Sequence, residues 1–157
     1  MISFYIAAPV VGASEEQRSQ IDAAIEVLRK WIHENIGVHA EIYNPRELKI
    51  PNAWNMPQSE WARCVFTEDV LAIDRADYVV VFDYGRNGTC GTAWEAGYAF
   101  AKEKPILLVV MPGVQEQSLM VRNGCTSCIG YNELIAGHVV FRYDYEEQFS
   151  KEPIVLN

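Results

Sequence analysis

Five short apolar runs separated by stretches of helical periodicity constrain this chain more than any other feature. They cover residues 2–7, 38–43, 78–83, 106–110 and 139–143. Apolar residues in them follow one another almost unbroken, as expected of strands buried on both faces. Between the first two, residues 15–35 place Ile21, Ile25, Leu28 and Ile32 at three-four spacing. Ser14 stands before this stretch as an N-cap and Gly37 lies beyond its end. Residues 58–75 repeat the pattern through Trp61, Val65, Val70 and Ile73, and residues 92–102 form a third helix. Shorter helices are expected within 113–122 and 130–136. Strands alternating with helices in this way predict an α/β fold with a central, mainly parallel five-stranded sheet. Helices on both faces make it a flavodoxin- or Rossmann-like three-layer sandwich. At 157 residues, with no repeat or linker, residues 1–157 are expected to form a single domain.

Charge removes several classes of partner. Lysine plus arginine number 13 against 21 acidic residues, a net charge of −8 with no basic block. Neither nucleic acid nor an anionic membrane surface suits such a chain, whereas a small ligand does. The opening "MISFYIAAPVVG" lacks a basic leader and reads as a first strand. The run "PILLVVMPG" falls well short of the roughly 20 residues that a membrane-spanning helix needs. Four cysteines without secretory context predict reduced thiols and a cytoplasmic location.

In open parallel sheets, ligands bind beyond the carboxyl ends of the strands, where strand order reverses. Two loops qualify, "YIAAPVVGAS" after the first strand and "VVVFDYGRNGTCGT" after the third. If these strands are neighbours, Tyr5, Pro9, Asp83, Thr89 and Glu95 crowd one pocket. Gly85, Gly88 and Gly91 match neither nucleotide-binding glycine pattern, so they read as a tight loop letting a ligand approach the backbone. Glu95 stands in the first turn of the helix read over 92–102, where the positive end of the helix dipole favours its ionised form. A carboxylate so placed is either a nucleophile or a surface residue complementing the dipole. The proline- and asparagine-rich loop 44–57 is long enough to suggest a functional segment.

Three segments carry a more specific signal: "SFYIAAPV", "EDVLAIDRADYVVVFD" and "GTAWEAGYAFAKEKPILLV". Together with the "SLM" turn at 118–120, they resemble the nucleoside 2-deoxyribosyltransferase family. The resemblance implies a flavodoxin-like fold and an enzyme that moves a 2-deoxyribosyl group between nucleobases without metal or cofactor. Its ligands would be deoxynucleosides and free nucleobases. Position by position, Glu95 matches the nucleophile, Tyr5 the hydroxyl that orients it, and Asp69 the aspartate that manages the proton of the base. Trp61 matches an aromatic wall of the base pocket, and Met120 lies on a segment that reaches a neighbouring subunit's site. The resemblance thus implies a homo-oligomer with shared sites. Thr89, Asp83, Gly91 and Ser118 complete the set of candidate substrate contacts.

Two departures from the family pattern keep a second enzyme reading open. Thr89 stands where the transferases usually carry an aspartate for the sugar hydroxyls, and Ser118 where many carry an asparagine. Hydroxyl residues at these places resemble those of 2′-deoxynucleoside 5′-monophosphate N-glycosidases, which hold a phosphate there. A non-catalytic nucleotide-binding sensor is a third reading, because this fold hosts such modules too. Other residues point to structure. The C-T-S-C segment at 125–128 lacks the second ligand pair of a zinc site and is read as a loop. His33, His39 and His138 suit packing or surface positions, and Trp94 is expected in the core. Trp54 either caps the base pocket or staples its loop.

Overall fold

The computed structural model describes residues 1–37 and 39–139. Strands β1 (Ile2–Ala7), β2 (Ala40–Tyr43), β3 (Tyr78–Asp83), β4 (Ile106–Val110) and β5 (Ser127–Gly130) form one sheet in the order β2-β1-β3-β4-β5. Every adjacent pair is parallel. Sequence order runs outward in one direction from β1 to β2 and in the other through β3, β4 and β5. The reversal therefore lies between β1 and β3, at the carboxyl ends marked by Ala7 and Asp83.

The helices divide between the two faces. Helix α1 (Glu15–Asn35) starts at a capping box, in which Ser14 Oγ accepts from Gln17 N–H while Gln17 Oε1 accepts from Ser14 N–H. Its buried stripe of Ile21, Ala24, Ile25, Leu28 and Ile32 is the one the spacing predicts. That stripe packs on Phe4, Ile6, Val80 and Phe82, with Leu134 of the short helix α5 (Tyr131–Ile135) beside it. Across the sheet, α2 (Gln58–Arg75) and α3 (Cys90–Ala101) contribute Ile73, Ala96 and Ala99 to a second core with Tyr5, Val79, Val81 and Leu108. Small residues on α3 let this helix lie close to the strands. A short α4 (Leu119–Gly124) packs against α3. No helix among the described residues is long and apolar enough to cross a membrane.

Two elements differ from the sequence reading. The fifth strand is Ser127–Gly130, so the C-T-S-C segment runs into the sheet, with Leu107 opposite Ser127 and Val110 opposite Gly130. A four-residue edge strand containing Ser127, Cys128 and Gly130 offers no apolar run by which to recognise it. Val139, expected to open a strand, instead follows α5 and buries in the α1 core. The rest of that expected strand, 140–143, lies outside the described residues, as does Val38 at the start of the expected second strand.

Candidate active site

Beyond the carboxyl ends of β1 and β3, a cavity of about 370 Å³ opens under the loop that follows β2. Its volume falls within the roughly 300–1,000 Å³ of small-molecule sites. Much of the wall is apolar: Val10 and Val11 after β1, Leu48 and Ile50 in the loop, Trp61 and Val65 on α2. Polar groups gather on α2 and at the start of α3, namely Asp69, Thr89, Thr92 and Glu95. The loop is ordered by short turns. Asn44 caps the turn Pro45–Glu47, and Arg46 and Glu47 pair with Asp22 and Arg29 of α1 at 2.6 and 2.9 Å.

Glu95 owes its position to the start of α3. Thr89 Oγ1 caps the helix by accepting from Thr92 N–H. The helix begins at Cys90, two residues earlier than the sequence suggested, so Glu95 stands in its second turn. Dipole stabilisation fades within the first turn, and burial dominates instead. Removal from water, countered by the Tyr5 hydrogen bond and reinforced by the Asp69 charge, pushes Glu95 up to about 7. The expectation of a carboxylate kept ionised by the helix end is thereby corrected: Glu95 is poised near neutrality.

Tyr5, on β1 and wholly buried, donates its hydroxyl to Glu95 Oε1 at 2.9 Å. Burial, and then the nearby Glu95 and Asp69 charges, hold the Tyr5 phenol far above its ordinary value, so it serves as a donor. Asp69 faces the same cavity from α2. Burial raises its carboxyl above the usual range, while a hydrogen bond from Tyr43 opposes the rise and Glu68 adds to it. Tyr43, at the end of β2, went unnoticed in the sequence, though its position at a strand's carboxyl end was the available signal. Its hydroxyl donates to Asp69 Oδ1 at 3.1 Å, and its ring stacks on that of Tyr5 at 5.5 Å.

The remaining candidates separate into two groups. Trp61, Thr89 and Gly91 line the cavity with Glu95 and Asp69. Asp83, Ser118 and Met120 do not. Buried Asp83 accepts from Gly85 N–H and from Gln117 Nε2, at 2.8 and 3.0 Å, and so joins the loops after β3 and β4. Ser118 caps α4, and Met120 lies 85% exposed beside a separate apolar groove between α3 and α4. Trp54 is fully exposed and outside the cavity lining. Trp94 is half exposed, against the expectation of a core residue, and rests between Phe66 and Tyr98. A smaller cavity of about 280 Å³ opens past Phe66, Val70 and Trp94, and it too reaches Asp69, Gly91 and Glu95.

A profile of the nucleoside 2-deoxyribosyltransferase family matches residues 4–124. The chain belongs to this family. The match spans β1 through α4 and takes in every element that lines the cavity. Membership makes the protein an enzyme of glycosyl-transferring or N-glycosidase type. Among solved structures, a 2-deoxyribosyltransferase from Bacillus psychrosaccharolyticus is similar, with 26% identity and a TM-score of 0.66 over 93% of this chain and 95% of that one. A conserved protein from Enterococcus faecalis V583 shares the fold at 16% identity and a TM-score of 0.63, over 87% of this chain and 96% of its own. A CMP N-glycosidase from Clostridium botulinum does so at 19% identity and a TM-score of 0.54, over 84% and 91% respectively. No curated protein gives a match.

Proposed function

We propose that this protein transfers the 2-deoxyribosyl group between nucleobases by double displacement at Glu95. The observation that carries the reading is the Glu95 carboxylate, fixed through Oε1 by the buried Tyr5 hydroxyl in a cavity that Asp69 also lines. With Oε1 engaged, Oε2 is left to attack C1′ of a bound deoxynucleoside. Asp69 delivers a proton to the departing base as the bond to Glu95 forms, through an oxocarbenium-like transition state that the carboxylate stabilises. A second base then attacks the deoxyribosyl-enzyme, returning its proton to Asp69, and two inversions retain the β-anomer. Trp61 and the apolar wall suit a flat nucleobase.

The lining favours a nucleoside over a nucleotide. Among the described residues it contains no lysine, arginine or histidine, so no side-chain cation there meets a phosphate. The second reading, a monophosphate N-glycosidase, draws on the Thr89 and Thr92 hydroxyls, 3.0 Å apart at the start of α3, and on the fold shared with a CMP N-glycosidase. Transfer rather than hydrolysis requires that water be kept from the intermediate. A second copy covering the opening past Phe66 and Trp94 would supply that shield, and so we place the function in a homo-oligomer. Chromatography of the protein with a 2′-deoxynucleoside and a different free base, beside the matching 5′-monophosphate, tests the reading. Exchanged nucleoside, absent with Glu95→Ala, is the expected result. Base released from the monophosphate alone would favour the hydrolase, and no reaction with either would remove Glu95 from the chemistry.

A further inference from the structure

The Glu95–Tyr5 pair has a counterpart. Tyr5 and Tyr43 are register partners on adjacent parallel strands β1 and β2, so their side chains project from one face of the sheet. The rings lie 5.5 Å apart and within 13° of parallel. From this stack the two hydroxyls reach different helices, Tyr5 to Glu95 on α3 at 2.9 Å and Tyr43 to Asp69 on α2 at 3.1 Å. Each carboxylate of the proposed chemistry is thus held by one tyrosine, and the two tyrosines hold each other.

We propose that Tyr43 is a positioning residue for Asp69, fixing Oδ1 so that Oδ2 meets the base, with the ring stack keeping the Asp69 pair in constant offset from the Glu95 pair. The inference rests on the reading of Asp69 as the group that passes a proton to the leaving base. A carboxyl free to rotate about χ2 would present either oxygen, and a proton carried on the wrong one is of no use to the nucleobase. A hydroxyl donor on Oδ1 removes that freedom, because a protonated Asp69 then carries its hydrogen on Oδ2. The same contact bears on the acidity of the group. Burial, the largest influence, disfavours the ionised form, the Tyr43 hydrogen bond from β2 favours it, and the Glu68 charge again disfavours it. Tyr5 from β1 and Glu95 from α3 are the other titratable groups that interact with Asp69.

Tyr43→Phe tests the contact, because it deletes the hydroxyl and keeps the stacked ring. Two donors are compared: a purine 2′-deoxynucleoside, whose base needs a proton to leave, and a 2-deoxyriboside of an acidic phenol, which leaves without one. The variant is expected to slow base release from the purine donor about tenfold, the cost of one hydrogen bond to a charged group. KM and the phenol donor should be little changed. Tyr43→Leu removes the stack as well and should slow both donors. A ¹³C titration of the Asp69 carboxyl, assigned with Asp69→Asn, gives a readout that needs no turnover. Loss of the Tyr43 hydroxyl should move its midpoint to higher pH, because a donor to the carboxylate favours the ionised form. An equal slowing of both donors by Tyr43→Phe would mean a packing role and overturn the proposal, as would unchanged rates or an unmoved midpoint. If the wild-type protein cleaves neither donor, the proposed function fails, while the midpoint still decides whether Tyr43 governs Asp69.

Discussion

Glu95 is the residue on which solution behaviour should be most legible. With its carboxyl pushed up to about 7 by burial, it is largely protonated in mildly acidic solution, and in the proposed mechanism it acts as a nucleophile only as pH rises. Donor kcat/KM is therefore expected to climb through an acid limb near 7, measured as initial rates of base release from pH 5 to 9. Stability moves in the opposite sense. The folded state holds the Glu95 proton more tightly than the unfolded chain, whose ordinary value is 4.5. The stability this contributes is complete below 4.5 and is lost as pH rises to about 7. Glu95→Gln, which cannot ionise, should therefore melt higher than the wild type at pH 8, by about 5 °C for a difference of about 2 kcal/mol. At pH 4 the two should nearly coincide. Equal melting curves at both pH values would place the carboxylate in a wetter setting than its burial indicates. The glutamate itself was legible in the sequence because it stands early in the helix after the third strand, within a segment that resembles the family motif. Its acidity was not, because that depends on where the helix begins and on what covers the side chain.

The elements differ in how openly the sequence wrote them. Strands β1, β3 and β4 and helices α1 and α2 stand out because a strand buried on both faces needs an apolar run and a long helix repeats its pattern over several turns. Strand β5 is too short for either signal, and Tyr43 became visible only when register paired it with Tyr5. On α2 the pattern misled in another way, since Ile73 alone is buried while Trp61, Phe66 and Leu71 are exposed. Two glycines give element-scale tests. Gly85 has φ +58°, and a Cβ there would run into the Glu116 carbonyl oxygen. Gly85→Ala must push apart the two loops that Asp83 and Gln117 tie together, and about 1–3 kcal/mol of stability should be lost in denaturant unfolding. Gly97 is the contrast, an exposed interior position of α3 where an added methyl would meet nothing within 4 Å. Gly97→Ala should stabilise a lone protomer by about 0.5–1 kcal/mol.

At the scale of the molecule, apolar side chains collect on a face of α2, α3 and α4 over which no further layer lies among the described residues. Phe66, Trp94, Phe100 and Met120 are between 46% and 85% exposed there, which is the kind of patch that marks an interaction surface. Light scattering is expected to give a mass above that of one chain, and Phe66→Glu should shift it towards the monomer. If the second copy also shields the site, that variant should release more free base per exchanged nucleoside. A monomeric wild type with efficient transfer would refute the shared arrangement.

Tyr5 and Glu95 are 90 residues apart in the chain, and Tyr43 and Asp69 are 26 apart. Parallel strands joined by helical crossovers must close long loops before such pairs can meet, which makes folding slow. A nascent chain emerging from the ribosome already owns both carboxylates and both tyrosines once residue 95 has been made. It still lacks β4, which completes the floor beneath α3, and so Glu95 has no fixed seat. Synthesis therefore delivers all four groups well before it delivers the pocket, and the ability to break a glycosidic bond should arise late, in a single step with closure of the sheet.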